Sequence, residues 1–264
     1  MSRLSVHLSL PGESFVSQAE FDAFRSRTQD DLDARYAYER ALTAEELACR
    51  PGTCGACLAP TSFHTAAMPL DWRDGQVCGC PDRLGQRARA LLHLLQSDTG
   101  LDVWSRIMLL GPRSPLDRRL APERTLALAA PVRHARLVVD DAFAHRLDAA
   151  DQAFSHVISW DYLQRVPPIE ALLRETRRVL SPGGVFAFTL PFHYRAGATV
   201  SRLSHLPRRH GLLPAEFGGD VHDIGWDILN HLRHAGFVRA RAHHTWSDEL
   251  GYLGAFNLLF TAEA

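Results

Sequence analysis

The sequence predicts an α/β protein: an open, mostly parallel sheet of seven strands, preceded by a helical arm and a small cysteine-rich module. Three observations carry this reading. After Gly100, short apolar runs alternate with helical stretches, the pattern of parallel strands joined by crossover helices. Every cysteine falls between Cys49 and Cys80, in a stretch punctuated by Pro51, Gly52, Gly55, Pro60, Pro69 and Gly75, where a packed element would be broken. Ahead of it, Ser17 to Leu47 contains neither Gly nor Pro and spaces Phe21, Phe24, Leu32, Tyr36 and Leu42 roughly helically. The domains read as 1–47, the arm; 48–84, the cysteine module; and 85–264, the α/β domain.

Within the last of these, GQRARALLHLLQSDTG is an amphipathic helix with Ala88, Leu91, Leu92 and Leu95 on one face, stopped by Gly100. Strands are expected at Ile107 to Leu110, Leu126 to Ala130, Leu137 to Val139, Val157 to Trp160 and Val185 to Leu190. Ile169 to Leu180 is the clearest intervening helix, and Gly183-Gly184 separates it from the fifth strand. A helix from Trp226 to His234, closed by Gly236, precedes strands at Phe237 to His243 and Phe256 to Thr261.

Composition narrows the chemistry. The 264 residues are 46% hydrophobic with a formal net charge of -1, and all 29 basic residues are arginine. Without lysine there is no Schiff-base chemistry and no Walker-type phosphate loop. The balanced charge offers no field for a polyanion, so nucleic acid is not an expected partner. No apolar run approaches the roughly 20 residues that cross a bilayer, and the first residues lack the apolar core of a signal peptide. A cytoplasmic protein without a membrane partner is expected.

An odd number of clustered cysteines in a chain long enough to build its own core suggests a metal rather than a disulfide framework. Cys54-Gly-Ala-Cys57 has the spacing that brings two sulfurs to one tetrahedral zinc, and Gly79 frees Cys78 and Cys80 to turn inward together. Cys54, Cys57, Cys78 and Cys80 would form a closed, structural zinc site. Cys49 is the spare or replaces one of the four, and His64 and His93 are alternative ligands. Reduced thiols without metal, or a redox pair at the two-residue spacing, are the competing readings.

FSHVISWDYLQRVPPIEALLRETRRVLSPGGVFAFTLPFHY, from Phe154 to Tyr194, resembles the class I S-adenosylmethionine-dependent methyltransferases. In that family a strand ending in an acid leads to a Val-Pro turn, a helix with Glu and Arg near its end, and a Leu-x-Pro-Gly-Gly turn. Asp161, Val166-Pro167, Glu175, Arg178 and Leu180 to Gly184 stand in those places. A subgroup with a cysteine module ahead of the fold is similar in Cys54, Cys57, Trp72-Arg73, Cys78, Cys80, Arg87-Ala-Arg89-Ala90 and Gly225-Trp226-Asp227. The resemblance implies a Rossmann-like seven-stranded class I methyltransferase sheet, S-adenosylmethionine as cofactor and a small-molecule substrate, methylated on oxygen or nitrogen in specialised metabolism.

Ligands of open α/β sheets bind outside the carboxyl ends of the central strands. There Gly111, Arg113 and Ser114 are the candidates for the methionine and ribose part of the cofactor, Asp140, Asp141 and Ala142 for the adenine, and Ser159, Trp160 and Asp161 for the central crevice. Trp160 also fits a core position and Asp161 a helix cap. His193 and Tyr194, after the fifth strand, are the catalytic candidates, since methyl transfer to a hydroxyl or ammonium requires proton removal. His222 and Asp220 are placed on a lid over the same pocket.

Two departures from the family pattern are legible. The first loop lacks G-x-G-x-G, and the segment LALAAP has no acid before Val132 to grip the ribose. They motivate two alternatives: a methyltransferase fold repurposed for cyclisation, rearrangement or elimination, with the cofactor structural or lost, and a non-catalytic partner protein. An arm of about 30 residues is compatible with a homodimer.

Overall fold

The computed structural model describes residues 9–65, 73, 75–102, 104–111, 114, 116–120, 133–135, 146–147, 149–202, 220–254 and 257–264. The chain divides into two compact units. One comprises the N-terminal residues through Glu13, 28–102 and 244–257; the other comprises 14–27, 103–243 and 258–264.

Among the described residues, the sheet unit is built on seven strands. They are β1 (Glu13–Phe15), β5 (Ile107–Leu110), β6 (Arg133–Ala135), β7 (Phe154–Trp160), β8 (Leu180–Thr189), β11 (Arg239–His244) and β12 (Leu258–Glu263), in spatial order β1-β11-β12-β8-β7-β5-β6. The intervening numbers belong to strands β2 (Arg50–Cys54), β3 (Ala59–Thr65) and β4 (Gln76–Cys78) of the cysteine unit and to a short ribbon, β9 (Val200–Ser201) with β10 (His222–Asp223). Strands β6, β5, β7 and β8 run parallel, and β12 is antiparallel to β8. Central strands buried on both faces should read as near-continuous apolar runs, as IMLL and VFAF do. Phe186, Phe188 and Phe260 stack through the core at centroid distances of 4.7 and 5.2 Å.

At one edge Arg133–Ala135 lies beside β5; the strands expected at 126–130 and 137–139 fall outside the described residues. At the other edge β1 adds a strand that three residues of sequence could not announce.

Helix α6 (Ile169–Val179) follows the Val166-Pro167 turn and connects β7 to β8. It buries Ile169, Leu172, Leu173, Thr176 and Val179, which share the i, i+3, i+4 face of an amphipathic helix. Its polar end explains the Glu and Arg of the family pattern. Arg178 donates to both carboxylate oxygens of Glu175 (2.9 and 2.7 Å), to Asp151 (2.6 Å) and to the carbonyls of Ala149 (2.9 Å) and Leu147 (3.0 Å). The Leu147 amide returns a bond to Glu175. One guanidinium thus pins the loop before β7 to the helix after it.

The Arg178 hydrogen bonds hold the Glu175 carboxyl below its ordinary range, against the cost of burial. A lowered folded pKa means stabilisation that is present above the unfolded value, about 4.3, and is lost as pH falls through the folded one. Glu175→Gln should therefore cost about 1–3 kcal/mol at pH 7, and the gap to wild type should narrow below about pH 4. Urea unfolding at pH 7 and pH 3.5 measures both; a gap that does not change with pH would refute the assignment.

The helical arm is three helices in two units. Helix α1 (Gln18–Arg27) belongs to the sheet unit, where Phe21 packs on Trp226 at 5.0 Å. Helices α2 (Gln29–Ala41) and α3 (Ala44–Ala48) belong to the cysteine unit; Thr43 and Glu46 form a capping box on α3. Glu39 of α2 is buried and accepts from Arg73 (2.6 Å), Trp246 (2.8 Å) and the Gly254 amide (2.7 Å). Helix α4 (Gln86–Asp98) and residues 244–257, which link β11 to β12, complete this unit around the antiparallel sheet β2-β3-β4. The short helix α5 (Leu116–Arg119) follows β5, and α7 (Ile228–His234) precedes β11.

Candidate functional site

The carboxyl ends of β5, β7 and β8 lie side by side, since Leu110 pairs with Ser159 and Ser159 with Phe188. Gly111 follows at φ +102°, a left-handed backbone that only glycine enters freely. A Cβ there would stand 2.8 Å from Cγ of Tyr162, whose ring lies against this glycine. Ser159 is fully buried and its Oγ has no hydrogen-bond partner, as is true of the Gln164 Oε1 nearby in sequence. Buried acceptors are nearly always satisfied, so two orphans along β7 and the turn after it mark a place shaped for a ligand or water.

Asp161 also sits in the left-handed region, at φ +44°. Its carboxylate accepts from Thr189 Oγ1 (2.9 Å), its amide donates to the Thr189 carbonyl (3.1 Å), and its carbonyl accepts from Gln164 Nε2 (2.8 Å). It is therefore a clasp between β7 and β8. Trp160 is half-buried at the strand end. The Ser114 hydroxyl caps the first turn of α5 by accepting from the Leu116 amide at 3.2 Å. Arg113, Asp140, Asp141 and Ala142 lie outside the described residues.

His193 is 63% exposed, with Nε2 3.8 Å from Asp223, which is itself paired with Arg202. The Tyr194 ring lies between the guanidinium groups of Arg25 (5.3 Å) and Arg195 (5.4 Å); its hydroxyl accepts from Arg195 and its carbonyl from Trp226 Nε1 at 2.8 Å. Asp227 of the Gly-Trp-Asp sequence holds Thr199 through its amide (2.8 Å) and hydroxyl (2.5 Å), closing the loop after β8.

Sequence reasoning left His222 only a place on a lid. Its Nε2 lies 3.2 Å from the Val166 carbonyl, which can only accept, so Nε2 carries the proton and Nδ1 the lone pair. Nδ1 is buried without a partner, and burial lowers the pKa, keeping the ring neutral at pH 7. The signal was absent from the sequence because it rests on Val166, 56 residues away.

In the cysteine unit, the sulfurs of Cys54, Cys78 and Cys80 lie within 4.8 Å of one another. Four sulfurs held about 2.3 Å from a tetrahedral zinc stand about 3.8 Å apart, so the three are spaced for one ion. Cys57 is hydrogen-bonded to Cys54. That bond, together with burial, pushes the Cys54 thiol up to about 12; hydrogen bonding to Cys54, with burial, raises Cys78 likewise. Metal capture must therefore displace protons. Cys49 is exposed at the end of α3 and outside the cluster, while His93 Nδ1 faces Tyr252 Oη at 3.2 Å. Gly55 is required in the first turn because a Cβ there would fall 2.1 Å from Tyr252 Oη.

Residues 116–188, from α5 through most of β8, match the family model described as a methyltransferase domain. That segment of the sheet unit is similar to a methyltransferase domain. The resemblance carried by Phe154 to Tyr194 overlaps the segment that matches. None of the curated proteins matches the chain. Among solved structures, an S-adenosylmethionine-dependent methyltransferase from Mesorhizobium loti is 20% identical, covers 67% of this chain and 95% of its own, and has a TM-score of 0.41. A complex of the Haloferax volcanii Trm112 methyltransferase activator with a methyltransferase is 15% identical, at 65% and 86% coverage and TM-score 0.41. The [4+2]-cyclase SpnF is 18% identical, at 67% and 80% coverage and TM-score 0.39. Among the described residues, no helix is long and apolar enough to cross a membrane.

Proposed function

We propose that the protein transfers the methyl group of S-adenosylmethionine to an oxygen or nitrogen of a small molecule. The observation that carries this reading is the methyltransferase-domain match across α5 to β8, which includes the unsatisfied Ser159 hydroxyl and follows directly on β5 and Gly111. When bound, S-adenosylmethionine supplies an electrophilic methyl on a sulfonium sulfur that departs as the thioether. The chain's part is alignment and proton removal. Gly111 and Ser159 border the cofactor, with Arg113, Ser114, Asp140, Asp141, Ala142, Trp160 and Asp161 as further contacts. His193 and Tyr194 border the substrate. His193 and Tyr194 are the candidate proton acceptors, and His222, whose Nδ1 is buried without a hydrogen-bond partner, is a further one.

Cys54, Cys57, Cys78 and Cys80 hold a structural zinc in this reading. A closed set of four sulfurs leaves no coordination position for substrate, so the metal's contribution is to folding.

Calorimetric titration with S-adenosylhomocysteine tests the cofactor. One-to-one binding at low-micromolar Kd, about -8 kcal/mol, is expected. No heat from folded, metal-replete protein would overturn methyl transfer and favour the repurposed fold. That second reading draws on the acid-free LALAAP segment and on the Tyr162 ring over Gly111.

A further inference from the structure

Arg89, the fourth residue of α4, is completely buried. Its Nη1 donates to the carbonyls of Leu84 (2.8 Å) and Gln76 (3.1 Å), and its Nη2 to those of Gly251 (2.9 Å) and Leu250 (3.5 Å), while Nε has no partner. The guanidinium lies over Phe63, 4.4 Å from the ring centroid. Carbonyls and an aromatic face satisfy its hydrogens but do not neutralise its charge. Arginine cannot shed its proton to escape burial, and an uncompensated charge in a protein interior costs several kcal/mol.

Among the described residues, the ionisable groups that act on Arg89 include Tyr252, Cys54, Cys78 and Cys80, and the Leu84 carbonyl that accepts from Arg89 also accepts from the Cys78 amide. Tyr252 is itself buried, and burial holds its hydroxyl protonated. Of these groups, the sulfurs are the ones that can supply an anion. Neutral thiols supply none, and neither does a disulfide. Four thiolates around a divalent ion supply a net charge of about -2.

We infer that Arg89 is the built-in counter-charge of a dianionic metal–tetrathiolate centre formed by Cys54, Cys57, Cys78 and Cys80. The inference rests on the zinc reading above and adds a residue to it that is not a ligand. Arginine and metal then stabilise each other: the buried cation lowers the free energy of the loaded centre, and the loaded centre lowers that of the buried cation. Arg89 also ties together the segments on either side of it, because its four carbonyl acceptors come from the start of β4, the turn before α4 and the 250–251 turn.

The test compares wild type, Arg89→Met and Arg89→Lys, each purified with zinc. Zinc affinity is measured by competition with a chromophoric chelator, and the number of thiolates by the charge-transfer spectrum after cobalt replacement. Wild type should hold one zinc with a four-thiolate cobalt spectrum. Arg89→Met should bind zinc at least tenfold more weakly, and Arg89→Lys, which keeps the charge, within about threefold of wild type. A folded Arg89→Met with wild-type affinity would overturn the counter-charge while leaving the zinc site intact. Wild type without zinc and without the four-thiolate spectrum would overturn both. Should Arg89→Met fail to fold, Arg89→Lys decides: retained affinity supports the inference, and a tenfold loss despite the conserved charge overturns it.

Discussion

Replacing Cys54 and Cys78 together by serine will abolish zinc binding and unfold the cysteine unit. The expectation comes from the way this unit is built. Its sheet has three short strands, and among the described residues between Cys49 and Gln86 the buried apolar side chains are Cys54, Ala56, Phe63, Cys78 and Leu84. Such a sheet is marginal without further support. Structural zinc sites supply apparent binding free energies of roughly 10–16 kcal/mol, most of it spent on ordering the ligand loops. Helix α4 contributes Leu91, Leu92, Leu94 and Leu95 to the buried core, so the remainder of the unit should loosen rather than vanish. Metal analysis and limited proteolysis provide the check: zinc should fall from one per chain to near none, and cleavage should begin within 48–84. A double variant with full zinc and wild-type protection would show that the thiols are packing residues only.

Gly111→Val should remove S-adenosylhomocysteine binding by a factor of at least 100, about 2.7 kcal/mol. Two costs add. At φ +102° a β-branched residue is forced out of its allowed backbone, which costs about 1–3 kcal/mol. The new side chain also enters the space that the Tyr162 ring fills, with Cβ 2.8 Å from Cγ. Relief requires the ring to move toward the crevice. Gly111→Ala carries the same strain with less bulk and should lose about tenfold. Titrating both variants, with circular dichroism to confirm folding, settles the point. Undiminished binding in Gly111→Val would put the cofactor elsewhere than the end of β5.

Some of this protein is local, and the local part was legible. The strand–turn–helix–strand from Phe154 to Thr189 follows from short apolar runs on either side of a 3.6-residue periodicity, with prolines and glycines between. The cysteine spacing likewise announced a cluster, and three of the four predicted sulfurs stand together in it, with Cys57 bonded to Cys54. The arm was legible as helix but not as three helices shared between units. Gln29 and the residues after it favour helix as strongly as those before Thr28, and only packing decides where the run breaks.

The candidate site was legible as a set of loops, not as a set of roles. Asp161 reads equally as a ligand contact and as a helix cap, and its clasp to Thr189 needs the neighbouring strand. The surroundings of Tyr194, with Arg25, Arg195 and Phe21 around its ring, need the folded chain. His222 and Arg89 belong to the same class of omission. One is defined by a carbonyl 56 residues away, the other by a carbonyl 162 residues away. By itself the sequence determined the α/β class, the absence of lysine chemistry, the cysteine cluster and the family resemblance, because each depends on composition or on neighbours a few residues apart. The tertiary structure alone decided which strands lie beside β5 and β11, which histidine keeps a free lone pair, and which buried cation faces the sulfurs. Those outcomes depend on desolvation and on partners distant in sequence, quantities that no short window of residues contains.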